Sequence, residues 1–307
     1  MNKVIVTTSI YSPSKATLKF SKMPGWDLIV VGDLKTPHDE YKDVNCTYIH
    51  PEQQEERFKT LSDAIGWNKI MRRNIGFVAA YNDFKADVVA SVDDDNIPYD
   101  NWGKDLYIGK EIEADYYETD LYAADPLAAT NVPQLWHRGY PLDLIKNRDK
   151  IEYKGKKTIT PLVQADLWDG DPDIDAMARL TRNELVKFNT TKPFCFNKPS
   201  PFNSQNTFLA REVIPYYTVL PFAGRMDDIW GGYILQQRFP DRVIYNRASV
   251  YQARNVQDLI KNLENETIGY RYTKEFLLNG CSLDQRFVAA ETKHFYETYR
   301  SYFKETV

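Results

Sequence analysis

Carboxylates crowd this sequence at places where ligand chemistry would account for them better than solvation. In ADVVASVDDDNIP, Asp93, Asp94 and Asp95 stand at the mouth of an apolar run. Three like charges at a strand end are costly unless a cation or hydrogen-bond donors offset their repulsion. Asp93 and Asp95 are therefore candidate ligands for Mn2+ or Mg2+, hard cations that prefer carboxylate oxygen. A calcium loop is excluded, because the places that would need glycine and glutamate hold Pro98 and Lys104. A solvated acidic turn stays open as the rival.

A second acidic word, GRMDDIWGGY, sets Asp227 and Asp228 beside Trp230 and two glycines. One carboxylate would accept a proton or hold hydroxyl groups, and the indole would form a floor for a ring-shaped ligand. The competing reading is a helix start, with Asp228 as N-cap of a helix from Ile229 and Asp227 favouring its dipole. In LWDGDPDIDAMARLTRN, a calcium loop from Asp169 fails because Ile174 and Leu180 occupy the decisive places. There Asp173 is expected to cap a helix from Ile174 to Phe188 with Asp175 in its first turn, or else to bind ligand.

Single residues add to the set. Arg138, in HRGYP, carries a guanidinium suited to phosphate or carboxylate, and His137 beside it reads equally well as structural. Of Arg72 and Arg73, one is expected in solvent and the other, Arg73, at nucleotide phosphates. Thr8 and Asp33 fall at strand ends, where Asp33 would accept from a base N–H or simply shape a turn. Asn203 and Gln205, in PFNSQNT, offer amides to sugar hydroxyls or to their own loop. No Ser-His-Asp or Cys-His pairing is in prospect, so a nucleophilic hydrolase has little support.

The elements that must position these groups alternate strand and helix. Lys3 to Thr8 reads as a strand, Pro13 to Met23 as a helix with Ser12 as N-cap, and Asp27 to Gly32 as a second strand. Cys46 to His50 reads as a third, and a helix around Trp67 to Asp83 leads to the strand Asp87 to Val92. Four strand ends, at Thr8, Asp33, His50 and Asp93, would then share one edge of a parallel sheet, where α/β folds collect ligands. Neither a dinucleotide fingerprint nor a P-loop occurs, so a metal on Asp93 and Asp95 would replace glycine amides in holding phosphates.

A chain of 307 residues with net charge −4 has no bulk attraction for nucleic acid or anionic lipid. Its three cysteines match neither a zinc site nor a disulfide framework, and no eighteen apolar residues run together. A soluble protein of the cytoplasm is the expectation. After Val256 the pattern is helical and charged, with Phe295, Tyr296, Tyr299, Tyr302 and Phe303 at helical spacing, suited to core packing or to contact between copies of the chain.

The Asp-x-Asp after a strand, about a hundred residues into a Rossmann-like half, resembles the GT-A nucleotide-sugar glycosyltransferases. LWHRGYPLDLI (135–145), DGDPDIDAMARLTR (169–182), PFNSQNTF (201–208), DDIWGGYILQQRF and SVYQARN (within 227–255) resemble the STELLO-type glycosyltransferases. The likeness runs from about Val4 to Gly269. More distantly the chain is similar to the reversibly glycosylated polypeptides, which act as UDP-arabinopyranose mutases. The resemblance implies an α/β GT-A-like fold with a mixed, mainly parallel sheet over residues 1–255 and a helical C-terminal extension over 256–307. It implies a metal-dependent glycosyltransferase taking a UDP-sugar to an acceptor the sequence does not name. Nucleotide-sugar contacts would fall on Thr8, Asp33, Arg73, Asp93, Asp94, Asn203, Gln205 and Trp230, with Asp227, Asp228 and Arg138 catalytic. The alternatives are a UDP-sugar pyranose–furanose mutase, in which Arg138 would carry the sugar, and a non-catalytic glycosyltransferase-like partner. Intact DDD and DDIW words weigh against the last.

Overall fold

The computed structural model describes residues 1–182, 184–254 and 257–303. Its strands are β1 (Lys3–Ser9), β2 (Asp27–Gly32), β3 (Thr47–Ile49), β4 (Val88–Val92), β5 (Asn96–Pro98), β6 (Ile112–Glu118), β7 (Glu152–Ile159), β8 (Val163–Gly170), β9 (Phe194–Phe196), β10 (Asn206–Ala210) and β11 (Val243–Gln252). Its α-helices are α1 (Lys15–Phe20), α2 (Pro51–Arg57), α3 (Lys59–Ile65), α4 (Arg73–Asn82), α5 (Ala176–Thr181), α6 (Asp227–Arg238), α7 (Leu259–Leu278) and α8 (Ala290–Ser301).

One mixed sheet runs β3-β2-β1-β4-β10-β8-β11-β9-β6-β7, with β5 added against β11. From β3 to β11 only β10 runs against the rest, so the centre is mainly parallel and helices flank it. The first four strands end on one edge, as their apolar, β-branched runs led one to expect. β4 is buried along its whole length, which requires cover on both faces. On one face α4 lies so close to the sheet that a Cβ at Gly76 would collide with the side chains of Val6 and Val31.

Several boundaries differ from the sequence expectation. α1 starts at Lys15 because Ser14, not Ser12, is the N-cap, its hydroxyl accepting from Thr17 N at 3.0 Å. The single helix expected from Trp67 to Asp83 is a short 3₁₀ turn, Ile70–Arg72, followed by α4. Two helices, α2 and α3, precede it; α2 is capped by His50, a residue outside the usual capping set. α5 begins at Ala176 with Asp175 as its cap and ends at Thr181, far short of Phe188. Asp173 is drawn instead into an ion pair described below. α7 and α8 are helical as expected; α7 meets α5 and the 3₁₀ turn before α6, and α8 meets α3. Phe295, Tyr299 and Phe303 are buried there, so the stripe packs the core. The boundary placed between residues 255 and 256 lies outside the described residues.

Candidate active site at the carboxyl edge of the sheet

Strand direction assembles this site. β1, β4, β8 and β11 end at one edge and the opposing β10 begins there, so segments distant in sequence meet: Ser9–Ser14, Asp93–Asp95, Gly170–Asp173, Asn203–Gln205 and Gln252–Arg254. The strand order reverses between β1 and β4, where α/β folds collect ligands.

Asp93 to Asp95 form a ridge between two cavities. The first, about 500 Å³, is lined by Tyr11, Ser14, Lys15, Asp94, Asp95 and Ile97. The second, about 280 Å³, is lined by Asp93, Asp95, Arg138, Gln205, Arg225, Asp227, Asp228 and Arg254. A larger cavity of about 830 Å³ lies elsewhere, between α8 and the 3₁₀ turn Arg211–Tyr216, and holds none of the acidic words.

The three ridge carboxylates are satisfied unequally. Asp93 pairs with Arg73, which also donates to Ser204 O at 2.9 Å and Ser204 Oγ at 2.7 Å. Asp94 accepts from Ser9 Oγ at 2.5 Å, and its carbonyl accepts from the Ser14 hydroxyl. Asp95 has a buried Oδ1 with no partner among the described residues. Burial, and then the charge of Asp93, push its carboxyl above the usual carboxylate range. Burial raises Asp94 as well, against the Ser9 hydrogen bond.

The 3₁₀ turn Gly224–Met226 delivers Asp227 and Asp228 to the other side of the second cavity. Neither acts as a cap: α6 begins at Asp227 itself, with no side-chain cap bond. Asp228 accepts from Ser204 N at 2.8 Å and from Arg138 at 3.0 Å. Burial, the largest influence, would raise it, but Arg138 and the Ser204 N–H together hold it below the usual range. Among the described residues Asp227 accepts only the Asp228 N–H, at 2.9 Å, and stands 3.9 Å from Arg138. Burial and the neighbouring Asp228 push it upward. The pair is thus split into a fixed carboxylate and one of raised basicity facing open space.

Arg138 differs most from its expected role. It donates to both oxygens of Asp173 (Nε at 2.9 and 3.1 Å, Nη2 at 2.8 Å), to both oxygens of Asp228, and to the Arg225 carbonyl. Every donor nitrogen is engaged, so none is left to carry sugar or to grip a diphosphate. Asp173 is its counter-ion; burial would raise that carboxyl, but Arg138 and Arg254 hold it well below the usual range. Asn203 belongs to this hub, with Nδ2 on Asp173 at 3.1 Å and Oδ1 taking Gln205 N at 3.1 Å. His137 is buried, its Nδ1 2.8 Å from the Arg138 carbonyl oxygen.

Three further expectations are corrected. Trp230 is fully buried, stacked on Phe276 at 4.5 Å and donating to Thr273 Oγ1 at 3.1 Å, so it packs core and floors no cleft. Asp33 is buried with its oxygens taken by the backbone N–H groups of Leu34, Asn68 and Lys69, which makes it a loop organiser. Thr8 donates to Val31 O at 2.8 Å within the sheet. Neither Arg72 nor Arg73 is solvated: Arg72 bonds Gln54 Oε1 at 2.7 Å and lies over the Trp67 ring at 3.4 Å.

Of the residues singled out from sequence, Asp93, Asp95, Gln205, Asp227, Asp228 and Arg138 meet at one cavity, with Arg73 and Asn203 behind it. Sequence reasoning missed Arg225, Arg254, Ser204 and the Tyr11–Lys15 loop. Arg225 stands two residues before Asp227, and Arg254 falls inside SVYQARN, but neither has a spacing that announces its direction. Among the described residues, no three His, Cys, Asp or Glu side chains converge to hold a metal unaided, and no helix is long and apolar enough to cross a membrane.

No protein-family model matches the sequence, and no curated protein matches it significantly. Among solved structures the chain is similar to glucosyl-3-phosphoglycerate synthase from Mycobacterium tuberculosis, determined with phosphoglyceric acid. That likeness has a TM-score of 0.43 and 16% identity, over 91% of this chain and 80% of the other.

Proposed function

We propose that this chain is a glycosyltransferase that takes its sugar from a nucleoside diphosphate, with UDP as the first candidate. One observation carries the reading: the Asp93–Asp95 ridge stands between a roomy cavity beyond the ends of β1 and β4 and a smaller one that holds Asp227. The first has the volume and the Tyr11 ring for a nucleoside. The second would hold the sugar and its acceptor.

Asp93 and Asp95 fit a divalent cation in chemistry, being hard oxygen donors, and the partnerless Asp95 Oδ1 is the atom such an ion would satisfy. Two protein carboxylates suit Mn2+ or Mg2+ whose remaining ligands come from phosphate and water rather than from a protein cage. When bound, the ion would offset charge on the departing diphosphate. Asp227 would accept the proton of the attacking hydroxyl, because its carboxyl is raised and open to the cavity. Asp228, held by Arg138 and Ser204, would fix the geometry of α6 beneath it.

Incubation with a panel of UDP-sugars and Mn2+, following free UDP and sugar isomers by chromatography, tests the reading. Release of UDP that Asp95→Asn abolishes supports it. No release from any donor sinks it, and isomer formation without an acceptor would return the reaction to a mutase.

A further inference from the structure

Arg225 and Arg254 face the second cavity together, and each has donors to spare. A guanidinium offers five N–H groups. Among the described residues Arg225 uses Nε on Glu266 at 2.8 Å, and its Nη2 stands 3.7 Å from Asp173. Arg254 is deeper, with 6% of its side chain exposed. Its nearest carboxylates are Asp171 at 3.5 Å and Asp173 at 3.7 Å, both beyond good hydrogen-bond length. Among the described residues its buried Nε has no partner, and its guanidinium donates to the Gln252 amide oxygen at 3.0 Å, in the amide orientation that satisfies both groups. Arg138, on the same carboxylate, leaves no nitrogen idle. The fold therefore spends one arginine on itself and leaves two converging, under-bonded guanidinium groups at a cavity wall.

We infer that Arg225 and Arg254 form an oxyanion subsite, for a phosphate or carboxylate carried by the acceptor. The inference rests on the glycosyl-transfer reading for the word acceptor; the anion site itself does not. Planar forked donors match such groups two at a time. The acceptor is favoured over the donor's diphosphate by position. Asp94, Asp95 and Lys15 define the nucleotide side of the ridge, whereas the two arginines share their cavity with Asp227, where an attacking hydroxyl must lie. An acceptor anchored by its anionic group would present a neighbouring hydroxyl to that carboxylate.

The test titrates inorganic phosphate by calorimetry at constant ionic strength, with and without saturating UDP and Mn2+, since screening would otherwise imitate weak binding. Wild type is expected to bind phosphate saturably in both conditions. Arg225→Gln and Arg254→Gln should each weaken it at least about tenfold, Arg254→Lys should recover part of the loss, and the exposed Arg286→Gln should change nothing. Arg225→Gln, at a partly exposed position, keeps the test alive should Arg254→Gln fail to fold. Phosphate displaced competitively by UDP would assign the arginines to the donor's diphosphate and overturn the acceptor subsite. Phosphate that fails to saturate, or binds equally in all variants, overturns the anion site altogether. Failure of UDP itself to bind with Mn2+ would sink the nucleotide-sugar reading alone, and the substitutions would still decide the anion site.

Discussion

Two charged clusters, HRGYP with PDID and the DDD ridge, meet opposite fates in the folded chain. Around Arg138 every donor finds an acceptor: Asp173 and Asp228 are buried, fully bonded, and held below the usual carboxylate range by the guanidinium. At the ridge only Asp93 has a cation, Arg73, while Asp94 has a hydroxyl and Asp95 has a carboxyl raised by burial with one oxygen unpartnered. A closed cluster serves the fold, because its charges are already compensated. An unclosed one costs stability until something arrives, and it marks where a ligand would repay that cost.

The largest effect should come from opening the closed cluster. Arg138→Ala would strand Asp173 and Asp228 in the interior, and breaking such a buried pair costs about 3 to 5 kcal/mol. Arg138→Lys should recover only part, since an ammonium lacks the forked geometry that reaches both oxygens of Asp173. Urea unfolding measures both; a loss below about 1 kcal/mol in the alanine variant would mean that the hub is not what organises this edge. Asp228→Asn belongs to the same series and should lose stability together with activity.

The unclosed cluster should show the reverse. Asp95→Asn and Asp227→Asn should each cost about a hundredfold or more in turnover, roughly 2.7 kcal/mol in the barrier, while leaving unfolding unchanged or slightly improved. Removing a carboxylate whose ionised form burial opposes relieves the fold as it disables the site. The pH profile tests the role given to Asp227. If Asp227 is the proton acceptor, it must be ionised to work, so kcat/KM should rise with pH through a midpoint above the ordinary carboxylate range. A profile flat from pH 4.5 to 8.5 would take the base role away from it.

How much of this was legible beforehand follows the same division. Strand ends carrying charge are readable, because a β-branched run followed by DDD has one economical placement, and the edge shared by β1 to β4 came out as expected. Partner choice was not readable. Asp228 and Asp173 each had a good local explanation as helix caps, yet long-range pairing with Arg138, 90 and 35 residues away, prevailed. Local propensity is a weak prior beside a buried guanidinium seeking counter-ions. Trp230 was misread for a related reason: helical position 230 faces Phe276 on α7, and nothing in DDIWGGY says which way the indole points. The under-bonded Arg225 and Arg254 were invisible because an arginine's spare donors exist only relative to the folded surroundings.

A third kind of buried carboxylate has neither a cation nor a cavity. Asp166 lies inside β8, accepting from Gln164 Nε2 at 2.8 Å, and burial pushes its carboxyl up to about 7. Asp125, with Oδ1 on the backbone N–H groups of Leu127 and His137, is likewise pushed up to about 7 by burial. The unfolded chain titrates near its ordinary value of about 3.9. Between that value and about 7 the folded state keeps a proton that the unfolded state has released, so stability must fall as pH rises, by up to about 1.4 kcal/mol per pH unit for each such group. Below the window both states are protonated and above it both are ionised, so the slope vanishes at either end. Asp173 works with the opposite sign, because its folded value is depressed; its contribution is lost only in strong acid and leaves this window untouched. Asp166→Asn keeps an acceptor for Gln164 and removes one titration, so urea unfolding at pH 5, 6, 7 and 8 should show a shallower decline than wild type. Identical slopes would mean that Asp166 stays ionised in the core, compensated by donors such as Asn246 and Ser249, and would move it from the uncompensated class to the closed one.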